Sequence, residues 1–280
     1  MGALAGKRIF ITGGARGIGL ATAEGAALRG AIPLIADIDP AEAEAAAGRV
    51  GARARGYGLD VTDADSFTEV LAQAEADAGG LDVVINNAGI AEASPRIVEQ
   101  PREMVDRIIE VNLMGAVNGT IAAIRQIAGR KGQVVNVASQ AGRTAVPALA
   151  AYTASKHGVV GFTDTVRYEY RGSGLCFTCV MPGPVSTGMM DGTRRVPLIR
   201  LLEPTDVAAA ILDAIEERRE EVFIPKSTGY LIRFSGMLPV RAREAIIRLS
   251  GVDRVYTEID PGARREYSQR VAPQAGGDES

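Results

Sequence analysis

The chain has 280 residues, 46% of them hydrophobic and 23% charged, ordinary values for a globular protein with a sizeable core; this length suits one large α/β domain or two small ones. A net charge of −3 and a pI of about 5.5 argue against a dominant nucleic-acid-binding surface. No apolar run approaches the ~18 residues needed to span a bilayer, and MGALAGKRIF leads into a strand without an h-region or cleavage site. The expectation is a soluble, cytoplasmic protein.

Apolar strand-like runs alternate with helical stretches through about residue 225. Strands are predicted at 8–12 (RIFIT), 31–37 (AIPLIAD), 54–60 (ARGYGLD), 81–89 (LDVVINNAG), 132–139 (GQVVNVAS), 175–183 (LCFTCVMPG) and 221–225 (EVFIP). Helical stretches such as IGLATAEGAALRG, PAEAEAAAGRV and DADSFTEVLAQAEADAG lie between them. This alternation implies an α/β fold, a doubly wound parallel sheet of about seven strands with helices on both faces. The runs are nearly continuous, as expected of strands buried on both sides. Pro33 is an oddity, because it removes a ladder donor from the second strand.

Residues 1–225 thus read as one α/β domain, and 226–280 as a helical extension. Between Lys226 and Arg254 lie six basic residues against Glu244 and Asp253. Leu238, Ala242, Ala245, Ile246 and Leu249 form a helical stripe flanked by Arg241, Arg243 and Arg248. Two readings follow: a helix packed on the core or on a neighbouring subunit, or peripheral contact with a membrane surface through the basic flanks. The final ten residues are polar and Gly-rich, which predicts disorder.

Cys176 and Cys179 form a C-x-x-C. In a strand, residues three apart point to opposite faces, so a buried strand is favoured over a redox or metal pair. His157 is the sole histidine, and no second Cys/His pair completes a zinc site. No metal is expected.

TGGARGIG at 12–19 lies between the first strand and a helix. Gly13, Gly17 and Gly19 there permit a left-handed backbone and close approach of a pyrophosphate to the helix N-terminus, beside Ile18. Asp37 ends the second strand about twenty residues on, where a carboxylate binds the adenosine ribose hydroxyls and repels a 2′-phosphate. Arg16 pulls the other way, since a guanidinium could meet that phosphate. Ile38 supplies no basic partner, so NAD is favoured over NADP. Asp39 reads as a solvated turn or helix start.

AYTASKHGVV places Tyr152 and Lys156 four apart, on one helix face. A free phenol has a pKa of about 10, and a nearby ammonium would bring it toward a working acid/base range.

Taken in order, these motifs resemble the short-chain dehydrogenase/reductase family over about residues 6–225, with a Rossmann fold. TGGARGIG is similar to its cofactor turn, and NNAG at 86–89 to its fourth-strand motif. Asn112 in VNLMG, Ser139 in NVASQAG and YTASK at 152–156 resemble its catalytic groups, and PGPVST at 182–187 its nicotinamide-covering segment.

The resemblance implies roles. Tyr152 would be the acid/base, while Lys156 would lower the Tyr152 pKa and bind the nicotinamide ribose. Ser139 would hold the substrate oxygen, and Asn112 would hold a water linking Lys156 to solvent. Asp60 and Val61 would meet the adenine, and Asn87, Ala88 and Gly89 would lie beside the cofactor. Pro182 and Gly183 would form the turn before Val185 and Thr187, which would meet the carboxamide end. Asn86 reads as a stabiliser of the central strands, and Asp63 fits a helix cap better than Asp60 does. A homodimer or homotetramer, through helices flanking Tyr152 and Asn112, is also implied.

After PG, Met189, Met190, Val196, Leu198, Ile199, Leu201 and Leu202 make the substrate stretch apolar. Arg194 and Arg195 read as a solvated loop rather than an acidic-head-group site. The expected substrate is a lipophilic secondary alcohol or its ketone: steroid-, retinoid- or fatty-chain-like. The alternatives are an NADP-dependent reductase and a catalytically silent nucleotide sensor. The extension could cap the pocket, alter subunit contacts or meet a membrane.

Overall fold

A computed structural model describes residues 2–194 and 201–272. Seven parallel strands, β1 (Arg8–Thr12), β2 (Ile32–Asp37), β3 (Arg55–Gly58), β4 (Val83–Asn86), β5 (Gln133–Val137), β6 (Cys176–Pro182) and β7 (Glu221–Ile224), form one sheet in the order β3-β2-β1-β4-β5-β6-β7. Each strand falls inside a predicted run. The fourth is shorter than its run because residues 87–89 leave the sheet toward the turn after β1.

Between the strands run α1 (Gly17–Leu28), α2 (Pro40–Val50), α3 (Ala64–Ala78), α4 (Arg102–Ile109), α5 (Gly115–Ile127), α6 (Ala150–Glu169) and α7 (Pro204–Glu217). Period-two alternation in β1 sends Ile9 and Ile11 to one face and Phe10 to the other. The first pair packs with Ala23 and Ala26 of α1 and with Ile211 and Leu212 of α7. Phe10 packs with Phe67 and Leu71 of α3 and with Ala123 and Ile127 of α5. Both faces are therefore dry, as a parallel sheet requires.

Local chemistry starts the helices where it should. The carboxylate of Asp39 accepts from the N–H groups of Ala41 and Glu42, and that of Asp63 from those of Asp65 and Ser66. Pro33 is harmless for a geometric reason. Ile32 donates its N–H to Lys7 on the β1 side, so position 33 faces the other edge, where β3 pairing begins only at Leu34.

The central strands carry a buried polar chain. Asn86 donates to Asn136 Oδ1 at 2.8 Å, and Asn136 donates to Thr163 Oγ1 of α6 at 2.9 Å. This stitches β4 to β5 and then to α6. Cys176 and Cys179 of β6 are free thiols, the second fully buried, and burial pushes Cys179 up to about 12. Among the described residues, no group of three or more His, Cys, Asp or Glu converges, and no helix is long and apolar enough to cross a membrane.

Among the described residues, four helices follow β7: α8 (Lys226–Gly236), α9 (Val240–Ser250), α10 (Val252–Thr257) and α11 (Pro261–Val271). The predicted stripe of α9 does not bury itself against this chain's core: Ile246 is 47% and Leu249 88% exposed. The place on the last strand is taken by α8, whose Gly229 lies against the Phe223 ring. The helix that docks is α11, with Arg264, Tyr267 and Val271 buried. The segment expected to be disordered lies, from residue 273 on, outside the described residues.

Gly119 of α5 is fixed by close approach, since a Cβ there would stand 2.0 Å from Asn86 Oδ1 and 2.6 Å from the Phe67 ring. Gly119→Ala should therefore destabilise the fold by about 1–3 kcal/mol, despite the better helix propensity of alanine. Urea unfolding checks this; a variant as stable as the wild type would show that the polar chain can shift.

Candidate active site

The turn after β1 is built by side chains of its neighbour. Thr12 Oγ1 accepts from the N–H groups of Asn87 (3.0 Å) and Ala88 (3.1 Å), and the Asn87 amide donates to the carbonyls of Thr12 and Gly13. Gly13 has φ +61°, and a Cβ on Gly19 would stand 2.2 Å from the Gly13 carbonyl oxygen. Only a bare backbone fits. No side chain caps the N-terminus of α1, whose first N–H groups leave a partly positive, anion-accepting end. Ile18 packs inward, against the α1 face of the core. A dinucleotide pyrophosphate fits this cradle. Asn87 and Ala88 thus hold the turn itself, and Thr12 is a site residue the sequence reading missed; its only signal is its place directly before the glycines.

At the adenosine end, Asp37 is buried, and its carboxylate accepts from the Ala15 N–H at 3.1 Å. Arg16 forms an ion pair with Glu42 of α2. Its guanidinium therefore already has a carboxylate partner. Asp60 accepts from the N–H and hydroxyl of Thr62, a local turn that presents Val61, while Asp63 is the cap of α3. The Val61 carbonyl accepts from Asn118.

Tyr152 and Lys156 lie in the first two turns of α6 and share a face. Lys156 is 4% exposed, donates to the Val137 carbonyl at 2.9 Å, and has its Nζ 5.8 Å from the Tyr152 ring centre. Burial pushes Lys156 down to about 8. Burial raises the Tyr152 phenol, and a hydrogen bond with the Ser139 side chain opposes that rise. Desolvation is the larger influence on Tyr152, and the side chain that opposes it is Ser139. The Ser139 hydroxyl is held in turn by the Ala141 N–H at 3.1 Å.

Asn112 sits in a π-helical turn, Glu110–Met114, between α4 and α5. Such single turns often mark functional sites. Its Oδ1 accepts from the Ile90 N–H (2.7 Å), while its Nδ2 donates to the Ile90 carbonyl (2.9 Å) and to Ser155 Oγ (3.0 Å). Ser155 donates to the Tyr152 carbonyl at 2.7 Å. Asn112 thus ties the loop after β4 to the first turn of α6, and Gly89 packs against both Asn112 Oδ1 and Lys156 Nζ. Neither the π turn nor Ser155 was visible in the residue pattern.

Beyond Pro182, Gly183 donates to the Ile224 carbonyl, and Val185 bridges to Leu202, turning the chain back so that the Thr187 methyl faces Gly17. Met189 then joins Tyr152, Ile90, Val105 and Ala151 in an apolar cluster with Tyr267 and Val271 of α11. Arg194 pairs with Glu258. Arg195, Val196, Leu198 and Ile199 lie outside the described residues. Among the candidate catalytic groups, Ser139 and Lys156 meet at Tyr152, Gly89 links Lys156 to the exit of β4 that holds the glycine turn, and Asn112 braces the first turns of α6.

A family model described as short chain dehydrogenase matches residues 7–196. The chain belongs to this family. It is similar to the probable oxidoreductase EphD of Mycobacterium tuberculosis, 32% identical over 259 residues, 84% of this chain and 44% of that protein. The chain thus spans less than half the length of that relative. It is also similar to 2-(S)-hydroxypropyl-CoM dehydrogenase 3 of Xanthobacter autotrophicus, 36% identical over 229 residues, 75% of this chain and 89% of that one. A crystal structure of a short chain dehydrogenase/reductase from Burkholderia phymatum in complex with NAD superposes with a TM-score of 0.75 at 26% identity, covering 83% of this chain and 94% of the other. The span matched by the short chain dehydrogenase model stops before α7, so α11 lies outside it.

The depressed Lys156 sets a pH signature. Its folded value of about 8 lies below the ordinary 10.5, so the unfolded chain binds the extra proton between them and stability at this site rises with pH across that window. Lys156→Met should be more stable than the wild type at pH 7, by up to roughly 3 kcal/mol. That advantage should shrink between pH 8 and 10.5. Urea midpoints of both proteins across that range measure it; a constant gap would mean that Lys156 titrates normally.

Proposed function

We propose that the chain is an NAD-dependent oxidoreductase interconverting a lipophilic secondary alcohol and its ketone, with Tyr152 as acid/base. The observation that carries this reading is the meeting of Ser139 and Lys156 at Tyr152, with Gly89 linking Lys156 to the exit of β4 that holds the glycine turn. NAD, when bound, supplies the hydride acceptor. Gly13, Gly17 and Gly19 with the N–H groups of α1 hold its pyrophosphate, Asp37 its adenosine ribose, and Asp60 and Val61 flank the adenine. Lys156 takes the nicotinamide ribose, with Pro182, Gly183, Val185 and Thr187 at the carboxamide end. The buried Asp37 and the Arg16–Glu42 pair support NAD over NADP.

In oxidation, Tyr152 accepts the hydroxyl proton while Ser139 steadies the substrate oxygen. The Lys156 ammonium stabilises the phenolate once it forms. Because burial raises Tyr152, the phenol is protonated at neutral pH. It is then ready as the acid for ketone reduction, and alcohol oxidation gains as pH rises. Ile90, Val105 and Met189 around Tyr152 support a lipophilic substrate, and the similarity to 2-(S)-hydroxypropyl-CoM dehydrogenase 3 supports alcohol chemistry.

Two further parts of this reading concern partners. Exposed Ile246 and Leu249 of α9, flanked in sequence by Arg241, Arg243 and Arg248, together with exposed Tyr230, Leu231, Phe234 and Met237, support peripheral contact with an anionic membrane. Exposed Met114 and Ile121 near Asn112 support a homodimer or homotetramer.

Tyr152→Phe should lower turnover of secondary alcohols by about 10²–10⁴-fold and leave NADH binding within a few-fold. NADH should bind more tightly than NADPH. Absorbance at 340 nm and fluorescence titration measure the two; full activity in the variant would reject Tyr152 as acid/base, and tighter NADPH binding would reject the cofactor assignment. In co-sedimentation, phosphatidylglycerol vesicles should retain the protein and phosphatidylcholine vesicles should not. Equal recovery on both would remove the anionic-membrane reading.

A further inference from the structure

Arg264 is 3% exposed although it lies on α11, well beyond the last strand of the sheet. Its Nε donates to Glu92 Oε1 (3.1 Å) and one terminal nitrogen to the Ala91 carbonyl (2.9 Å). The other terminal nitrogen donates to the carbonyls of Met189 (3.0 Å) and Asp191 (3.2 Å). One planar fork therefore bridges the loop after β4 and the segment after β6, two strands away in the sheet. Lysine, a point charge on a flexible stem, cannot span those acceptors together.

The rest of α11 repeats the attachment. Ser268 donates to Glu92 Oε2 at 3.1 Å, and Tyr267 Oη accepts from the Ala91 N–H at 3.0 Å. Asp260, the cap of α11, donates its N–H to the Gly192 carbonyl. The Tyr267 ring lies 4.8 Å from the Arg264 guanidinium. It packs in the same apolar cluster as Tyr152, Ile90 and Met189. Just upstream, the Tyr256 hydroxyl donates to Met190 Sδ at 3.2 Å. The segment after β6 is thus held from the α11 side at Met189, Met190, Asp191 and Gly192.

We propose that α11 is a fixed wall of the Tyr152 site, locked by Arg264 as its positioning residue, with Tyr267 limiting the bulk of the substrate admitted. This rests on the oxidoreductase reading for what the site does, and on the clamp geometry alone for how it is closed. The wall belongs to the same chain as the acid/base it covers.

Two variants of the full chain test it. In Arg264→Lys, amide exchange should quicken at least about tenfold in residues 89–92, 188–192 and 261–271 together, with β1, β4 and β5 unchanged. The KM for 2-butanol should rise several-fold while that for NAD stays within twofold. In Tyr267→Ala, kcat/KM for 1-cyclohexylethanol relative to 2-butanol should rise at least about tenfold. Quickening confined to 261–271, or none, would overturn the clamp; a selectivity ratio within twofold of the wild type would overturn the wall. A wild type inert toward both alcohols and unable to bind NADH would sink the oxidoreductase reading, and the exchange pattern would still decide the clamp.

Discussion

The Thr12 hydroxyl, accepting two backbone N–H groups from the exit of β4, is the contact on which the site depends. In a parallel sheet the strand order reverses where the first and fourth strands meet, and the chains leaving them diverge to opposite faces. That divergence opens a crevice but leaves its floor undefined. Thr12 and the Asn87 amide define it by locking the glycine turn onto the neighbouring strand. The loop that continues through Gly89 and Ile90 then starts from a fixed point. Asn112 can grip it and pass the registration to α6, where Tyr152 sits.

The catalytic groups sit in a place that resists their charge. Lys156 is desolvated, and Tyr152 is held protonated by the same burial. A fold optimised for stability alone would fill this position with an apolar side chain. The polar chain Asn86–Asn136–Thr163 beneath it is the contrasting case, with buried amides bonded to one another across two strands and a helix. The first arrangement leaves groups available to a ligand; the second spends its hydrogen bonds on rigidity.

Most of the sheet was legible because its strands are local apolar runs, and the caps Asp39 and Asp63 because they act within three residues. The glycine turn and YTASK were legible because backbone approach and helix spacing are local constraints. Legibility failed where the partner is distant. Nothing near Arg264 announces that it meets Ala91 and Glu92, 173 and 172 positions earlier. The stripe of α9 misled because periodicity reports an amphipathic face without naming what covers it. The desolvation of Tyr152 was not legible for a related reason: spacing places a lysine nearby, but burial is a property of the whole fold.

The position of α11 in the chain has a consequence for synthesis. Every element that Arg264 bridges is made well before Arg264 itself, and domains fold as their segments emerge. The nucleotide crevice at β1 and β4 can consolidate while the segment after β6 is still untethered. On the proposed reading, a nascent chain acquires its dinucleotide cradle before its substrate enclosure, and selectivity follows the capacity to bind the cofactor.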